Sequence, residues 1–341
     1  MSSVHHPPNH DALKHDILKP VVILSGPTAI GKTTLSIQLA KRLQTLGQAC
    51  AIISADSRLV YRHVNIGTAK PSPLERQQVP HHLIDMVMPD EAYSVARYQE
   101  DATREIAACH GLGILPIVVG GTGFYIKALL QNPSLVPPVP PDAAFREALT
   151  KEASEKGVLM LYERLKTLDP ERACALYDTD LLRIIRALEI IHTTGKKASS
   201  FRAKSPEPAR YKTLWLGLST SDPEWLRRRI ASRVHAMMEE GWLTEVRQLL
   251  NHYGPDAPGL RISHGYPELI RHVQTGWPLE EALSKTILNI QQYARRQRTW
   301  FRPNTAITWT AVDQWPTPSE ASLWVQQQGD YILNWCSERR G

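Results

Sequence analysis

The sequence predicts an α/β fold: a parallel sheet flanked by helices, with a small helical domain inserted into it. Three observations carry this. Short, wholly apolar runs alternate with amphipathic stretches, as buried parallel strands and their covering helices do. A Gly-rich turn joins the first such run to the first helix. Two Pro-rich stretches, NPSLVPPVPPD at 132–142 and SPEPAR at 205–210, bracket a segment of helical composition.

Taken in order, residues 1–19 are polar and lack an apolar stretch of signal-peptide type, so they read as a disordered tail. Its His5, His6, His10 and His15 leave a weak metal site open. Val21 to Ser25 is a strand, followed by the Gly-rich turn and an amphipathic helix from about Thr33 to Leu46. Cys50 to Ser54 is a second strand, and Ile114 to Val119 a third that ends in Gly120-Gly121. Residues 133–208 read as the helical insertion. Within it Leu181, Ile184, Ile185, Leu188 and Ile191 keep one helical face apolar. Thr213 to Leu218 returns to the sheet, long helices follow at about 223–251 and 279–300, and Ala306 to Thr310 is a last strand. The core is therefore 20–132 with 209–312, and residues 313–341 read as a C-terminal tail carrying Trp315, Trp324 and Trp335.

Composition narrows the class. The chain has 341 residues, 42% hydrophobic and 22% charged, as ordinary soluble domains do. Its longest apolar run, Ile114 to Val119, falls far short of the ~20 residues that cross a bilayer. A net charge of +6 is compatible with a polyanionic partner. The four cysteines are far apart with no C-x-x-C pair, which argues against a zinc site or disulfide framework and for reduced thiols in the cytoplasm.

The Gly-rich turn is Gly26-Pro27-Thr28-Ala29-Ile30-Gly31-Lys32-Thr33, which fits G-x-x-x-x-G-K-[ST] between a strand and a helix. Glycines turn backbone N–H groups inward around phosphate oxygens, and the helix N-terminus adds the positive end of its dipole. Lys32 supplies a point charge, and the Thr33 hydroxyl can hold Mg²⁺. The sheet is thus of the P-loop NTPase-like kind; the loop alone leaves open whether a nucleoside triphosphate or another diphosphate binds. Asp56, just past the second strand, belongs at the carboxyl edge of the sheet, where ligands sit. There it can hold Mg²⁺, accept a proton from a nucleophile, or serve merely as a turn residue.

The segments GPTAIGKT, ADSRLVYRHVNIGTAKP, PHHLID, GGTGFYIKALL, RIIRALEI, RRRIASRV, HGY and ARRQRTWFR occur in one order over roughly residues 20–303. Together they resemble the tRNA dimethylallyltransferases (isopentenyltransferases). The resemblance implies transfer of the dimethylallyl group of dimethylallyl diphosphate to the exocyclic amine of the adenosine 3′ of the anticodon, with diphosphate leaving.

It further implies roles. The loop residues Gly26 to Thr33 would grip diphosphate, with Mg²⁺ on Thr33. Asp56, Thr122 and Arg233 would be catalytic, Asp56 as the proton acceptor and Arg233 as a charge neutraliser. Asp56, Ser57, Arg58, Leu59, Thr122, Arg146, Leu182, Arg183, Ile184, Ile185 and Arg186 would line the path of the tRNA anticodon loop. Arg183 and Arg186 share a helix face and could equally be a solvated pair; Arg295, Arg296 and Arg298 could be a charged helix end or an RNA-facing stripe. Ile30, Leu59, His264 and Pro267 depart from the family's pattern. No counterpart of the eukaryotic C-terminal zinc finger exists among the cysteines, which points to the bacterial type. A monomer suffices. A P-loop kinase acting on a small alcohol explains Lys32, Thr33 and Asp56 equally well, but not the GTAKP, GGTG and RQRTW segments.

Overall fold

The structure, a computed structural model, describes residues 18–130, 139, 142–201, 209–315 and 317–338. The His-rich start and most of both Pro-rich stretches lie outside the described residues. Six strands form one sheet: β1 (Pro20–Ser25), β2 (Cys50–Ser54), β3 (His81–His82), β4 (Leu115–Gly120), β5 (Lys212–Ser219) and β6 (Ile307–Ala311). All pairs are parallel, in the order β3-β2-β4-β1-β5-β6. Five of the strands match the apolar runs. The sixth, β3, has only two residues, too few to show any periodicity.

Both faces of the sheet are covered, which is why the strands read as unbroken apolar runs. Val22 and Leu24 of β1 enter one core with Ile117 and Leu216 beneath α1 (Lys32–Thr45). Val21 and Ile23 enter the other, beneath α3 (Val95–Gly111) and α4 (Gly123–Leu130). A short helix, α2 (Pro73–Gln78), precedes β3 and is closed by a Ser72–Glu75 capping box.

Between β4 and β5 the chain forms α5 (Ala143–Lys156), α6 (Val158–Leu168), α7 (Pro170–Cys174) and α8 (Leu181–Thr194). These pack around a core of their own that includes Leu149, Leu161, Leu165, Ile184, Ile185 and Leu188. After β5 come α9 (Pro223–Glu239) and α10 (Trp242–Tyr253) in place of one long helix. Gly241, at φ 97°, breaks the run between them. Then follow α11 (Pro258–Ile262), α12 (Tyr266–Thr275) and the long α13 (Leu279–Phe301).

The C-terminal segment is not a tail. Residues Pro318–Ser337 form α14, which lies against α1 and puts Trp324, Val325 and Ile332 into the same core. Arg42 of α1 pairs with Asp330 at 2.9 Å, and its stem lies where a side chain on Gly329 would have to sit. Lys212 of β5 donates to the Trp335 carbonyl at 2.5 Å.

A third core centres on Trp242, fully buried at the start of α10. Two loops close over its indole. A Cβ on Gly67 would lie 2.2 Å from the indole nitrogen, and one on Gly265 2.1 Å from the far ring edge. Glu245, one turn on, accepts from the Asn65 and Ile66 backbone N–H groups at 3.0 Å and from the Tyr266 hydroxyl at 2.5 Å. The NIGTAKP and HGY segments are thus clamped to each other through one tryptophan. Buried Lys70 completes the first of these loops, donating to the Tyr61 carbonyl and to Asp85, both at 2.6 Å. Replacing Gly67 with Ala is expected to lower unfolding stability by about 1–3 kcal/mol, the usual cost of overpacking a fitted core. Urea unfolding with an unchanged midpoint would show that the indole is not held as described.

Candidate active site

The phosphate loop is shaped by contacts that fix its backbone. A Cβ on Gly26, at φ 151°, would lie 2.5 Å from the Leu218 carbonyl oxygen, so no side chain fits there. Ala29 is held at φ 61°, and its carbonyl accepts from Arg229 Nε at 3.1 Å. The Ile30 side chain is buried in the core under α1, so its departure from the family pattern leaves the inner face of the loop untouched. Lys32 folds back to donate from Nζ to the carbonyls of Gly26 at 2.9 Å and Pro27 at 2.7 Å. Burial pushes its pKa down to about 8, aided by Arg233 and opposed by Asp56.

Gln297 of α13 joins two motifs. Its Oε1 accepts from the Thr28 backbone N–H at 2.8 Å, and its Nε2 donates to the Gly121 carbonyl at 3.0 Å. A Cβ on Gly121 would lie 2.0 Å from that nitrogen, which explains the second glycine of GGTG. The first, Gly120, lets the Ala55 carbonyl approach; a Cβ there would be 2.2 Å from it.

Asp56 follows directly. Its Oδ1 accepts from the Arg58 backbone N–H at 2.9 Å, which sets the turn and leaves Oδ2 for a ligand. The Thr122 hydroxyl accepts from the Ser57 N–H at 3.1 Å, and the Thr122 N–H donates to Ala55 at 3.2 Å. Thr122 therefore positions the Asp56 loop. Arg58 lies over the Tyr293 ring at 4.3 Å and donates to the Ile262 carbonyl at 3.0 Å.

Asp56, Arg58, Thr28 and Arg233 line one cavity, with Ile230, Val234 and Met237 of α9, Ile290 and Tyr293 of α13, and Gly67, Thr68 and His264. Arg233 makes no hydrogen bond among the described residues, and burial lowers its pKa while Asp56 opposes that. A guanidinium stays charged under such a shift, so Arg233 is free to meet an anion. The apolar wall, Ile230-Val234-Met237, and Gln297 escaped the sequence reading, and His264 entered it only as a departure from the family's pattern. The first was visible as an i, i+4, i+7 spacing; single polar residues carry no spacing signal.

The predicted RNA-facing residues divide. Leu182 and Arg183 are exposed at the start of α8. Ile184 and Ile185 are buried in the helical cluster and present no side chain to a partner, because they fall on the side of α8 away from exposed Leu182 and Arg183. Arg146 and Arg186 are committed to Glu189, which is fully buried. Arg146 forks onto both its oxygens at 2.7 Å, and Arg186 pairs with it at 2.5 Å. Burial would raise the Glu189 pKa; these guanidinium groups and the Asp142 N–H instead hold it at about 2. Ser57 and Leu59 flank the cavity on the Asp56 loop. Arg295 and Arg298 face a groove with Arg302, Ser219 and Trp309, while Arg296 turns toward Tyr293. Pro267 occupies the first turn of α12, where its missing N–H costs nothing.

The family model described as IPP transferase matches residues 59–304. A tRNA dimethylallyltransferase from Acaryochloris marina is 43% identical over 289 residues, 85% of this chain and 91% of that protein. One from a Roseiflexus species is 43% identical over 319 residues, 93% of this chain and 98% of that protein. Among solved structures, the tRNA isopentenylpyrophosphate transferase of Bacillus halodurans is 35% identical with a TM-score of 0.67, covering 94% of this chain and 97% of that one. A eukaryotic dimethylallyltransferase described as acting on tRNA is 28% identical with a TM-score of 0.74, covering 93% and 80%.

The lowered pKa of Lys32 has a measurable sign. Above pH 8 the free site holds neutral lysine, and a bound anion restores the ammonium. Titrating inorganic diphosphate by calorimetry in buffers of different ionisation enthalpy should show more proton uptake at pH 8.5 by wild type than by Lys32→Met. The difference should vanish at pH 6.5. Equal uptake by both proteins at pH 8.5 would rule the shift out.

Proposed function

The chain belongs to the IPP transferase family, and on that premise we propose that it transfers the dimethylallyl group of dimethylallyl diphosphate to the N6 amine of the adenosine 3′ of the anticodon in tRNA, releasing diphosphate. The observation that carries this is the composition of one cavity. It joins a diphosphate grip (Thr28 and Ala29 of the phosphate loop, with Arg233), an apolar wall of Ile230, Val234 and Met237, and a carboxylate, Asp56, while Lys32 folds onto the same loop beside it. A phosphoryl-transfer site has no need of the apolar wall; a five-carbon prenyl chain does.

The chemistry follows from these parts. The allylic C1–O bond breaks as diphosphate departs, and the N6–C1 bond forms as the amine attacks. Asp56 accepts the proton that the amine loses. Loop N–H groups, Lys32 and Arg233 offset the charge that grows on the leaving oxygens. The target base must first leave its stack to reach a carboxylate at the sheet edge.

Mg²⁺ fits the residues present. The Thr33 hydroxyl, at the first turn of α1, makes no hydrogen bond among the described residues. No group of three or more His, Cys, Asp or Glu that could hold a metal occurs among them. An ion here would therefore rest on Thr33 and on substrate phosphate oxygens, as Mg²⁺ commonly does, and would supply leaving-group neutralisation. Leu182 and Arg183, exposed on the helical cluster, offer a contact to the anticodon loop. No described helix is long and apolar enough to cross a membrane, and action on tRNA supports reading this as a cytoplasmic enzyme.

The test is transfer of labelled dimethylallyl diphosphate to unmodified tRNA with Mg²⁺. Asp56→Asn should reduce kcat about 10²–10⁴-fold, the range for loss of a general base, and a chelator should suppress transfer. Hydrolysis of ATP with no label in any tRNA would instead favour a P-loop kinase.

A further inference from the structure

His264 was a departure from the family pattern with no assigned role. We propose that it reads the target base, its Nδ1–H donating to the adenine ring nitrogen that flanks the amine engaged by Asp56. The inference rests on the prenyl-transfer reading above and adds a specificity residue to it.

The loop holds His264 firmly. Ser263, fully buried, donates to the Gly259 carbonyl at 2.6 Å, and Gly265 turns the chain at φ 88° under Trp242. The imidazole lies against Tyr293, ring centres 4.8 Å apart, and lines the same cavity as Asp56.

Its tautomer is fixed by its partner. Arg58 approaches Nε2 at 2.8 Å, and a guanidinium can only donate, so Nε2 accepts and the ring proton sits on Nδ1. Arg58 cannot easily turn away, being held by Ile262 and Tyr293. Burial, Arg58 and Arg296 push the His264 pKa down to about 3, so the ring stays neutral at any working pH. Nδ1–H has no hydrogen-bond partner among the described residues and is not walled off by protein.

One acceptor and one donor on the same cavity match adenine. Its amine donates, and the ring nitrogens on either side of it, N1 and N7, accept. Guanine at the same place would set O6 against the Asp56 carboxylate, and on its Watson–Crick side an N1–H against the histidine N–H. Discrimination of this kind is steep because the wrong base leaves buried polar groups unpaired.

Kinetics on anticodon stem-loop RNA carrying adenosine, 1-deazaadenosine or 7-deazaadenosine at the target position decide the matter. His264→Leu removes the donor and His264→Gln retains one. Wild type should lose about three- to tenfold in kcat/KM, the worth of one net hydrogen bond, on one of the two deaza substrates beyond any loss that His264→Leu shows there. Which substrate shows it names the nitrogen. His264→Leu should suffer the same loss on adenosine, with His264→Gln recovering part of it. Losses that simply multiply for both deaza substrates, or a His264→Leu variant as active as wild type, would overturn the proposal. Should His264→Leu fail to fold, the same comparison is made with His264→Gln, whose penalty must then be smaller on the diagnostic deaza substrate than on adenosine. Wild type that leaves full-length tRNA unprenylated would overturn the function reading instead.

Discussion

The site depends on one buried amide. Gln297 holds the phosphate loop with its oxygen and the GGTG turn with its nitrogen, so the loop and the turn that positions Asp56 keep a fixed separation. An ionised glutamate could not donate to Gly121, and a lysine could not accept from Thr28; the amide does both. Because Gln297 sits on α13, the same helix that places Ile290 and Tyr293, it couples the Gly26–Thr33 loop to a wall of the cavity that Asp56 also lines. The two glycines of GGTG leave room for that amide and for the Ala55 carbonyl.

Two treatments of buried charge stand side by side. In the helical cluster, Glu189 is satisfied by Arg146, Arg186 and a backbone N–H, and its depressed pKa records a settled network. Around the cavity, Arg233 has Lys32 and Arg229 near it against the carboxylates of Asp56 and Glu240, and burial lowers the pKa of both Lys32 and Arg233. Such an excess of cations opposes folding of the free enzyme and is relieved by an anion. The cluster is wired for stability and the cavity for a ligand.

The sequence exposed what repeats or what has a spacing. Apolar runs placed five strands, the loop motif placed Lys32 and Thr33, and the strand end placed Asp56. Helical spacing also put Ile184, Ile185 and Leu188 on a buried face, whereas the contiguous stretch 182–186 implied by resemblance wrapped around the helix and mixed buried with exposed residues. The single-residue devices were illegible: Gln297, His264 and the two glycines over Trp242 act through partners far along the chain. Helix α14 carries no motif to mark it, and its packing depends on Arg42, far away in the chain, lying beside Gly329.

The docking of α14 on α1 has a consequence for synthesis. The phosphate-loop helix leaves the ribosome early, yet Asp330, the partner of Arg42, follows 288 residues later. The central strand β1 likewise waits for β5 before both its edges are paired. A nascent chain thus carries an apolar helix surface and an open strand edge while the intervening residues are made, the condition that invites aggregation or chaperone capture. The order of emergence, phosphate-loop helix first and its cover much later, makes this enzyme's core one that closes only once α14 has been made.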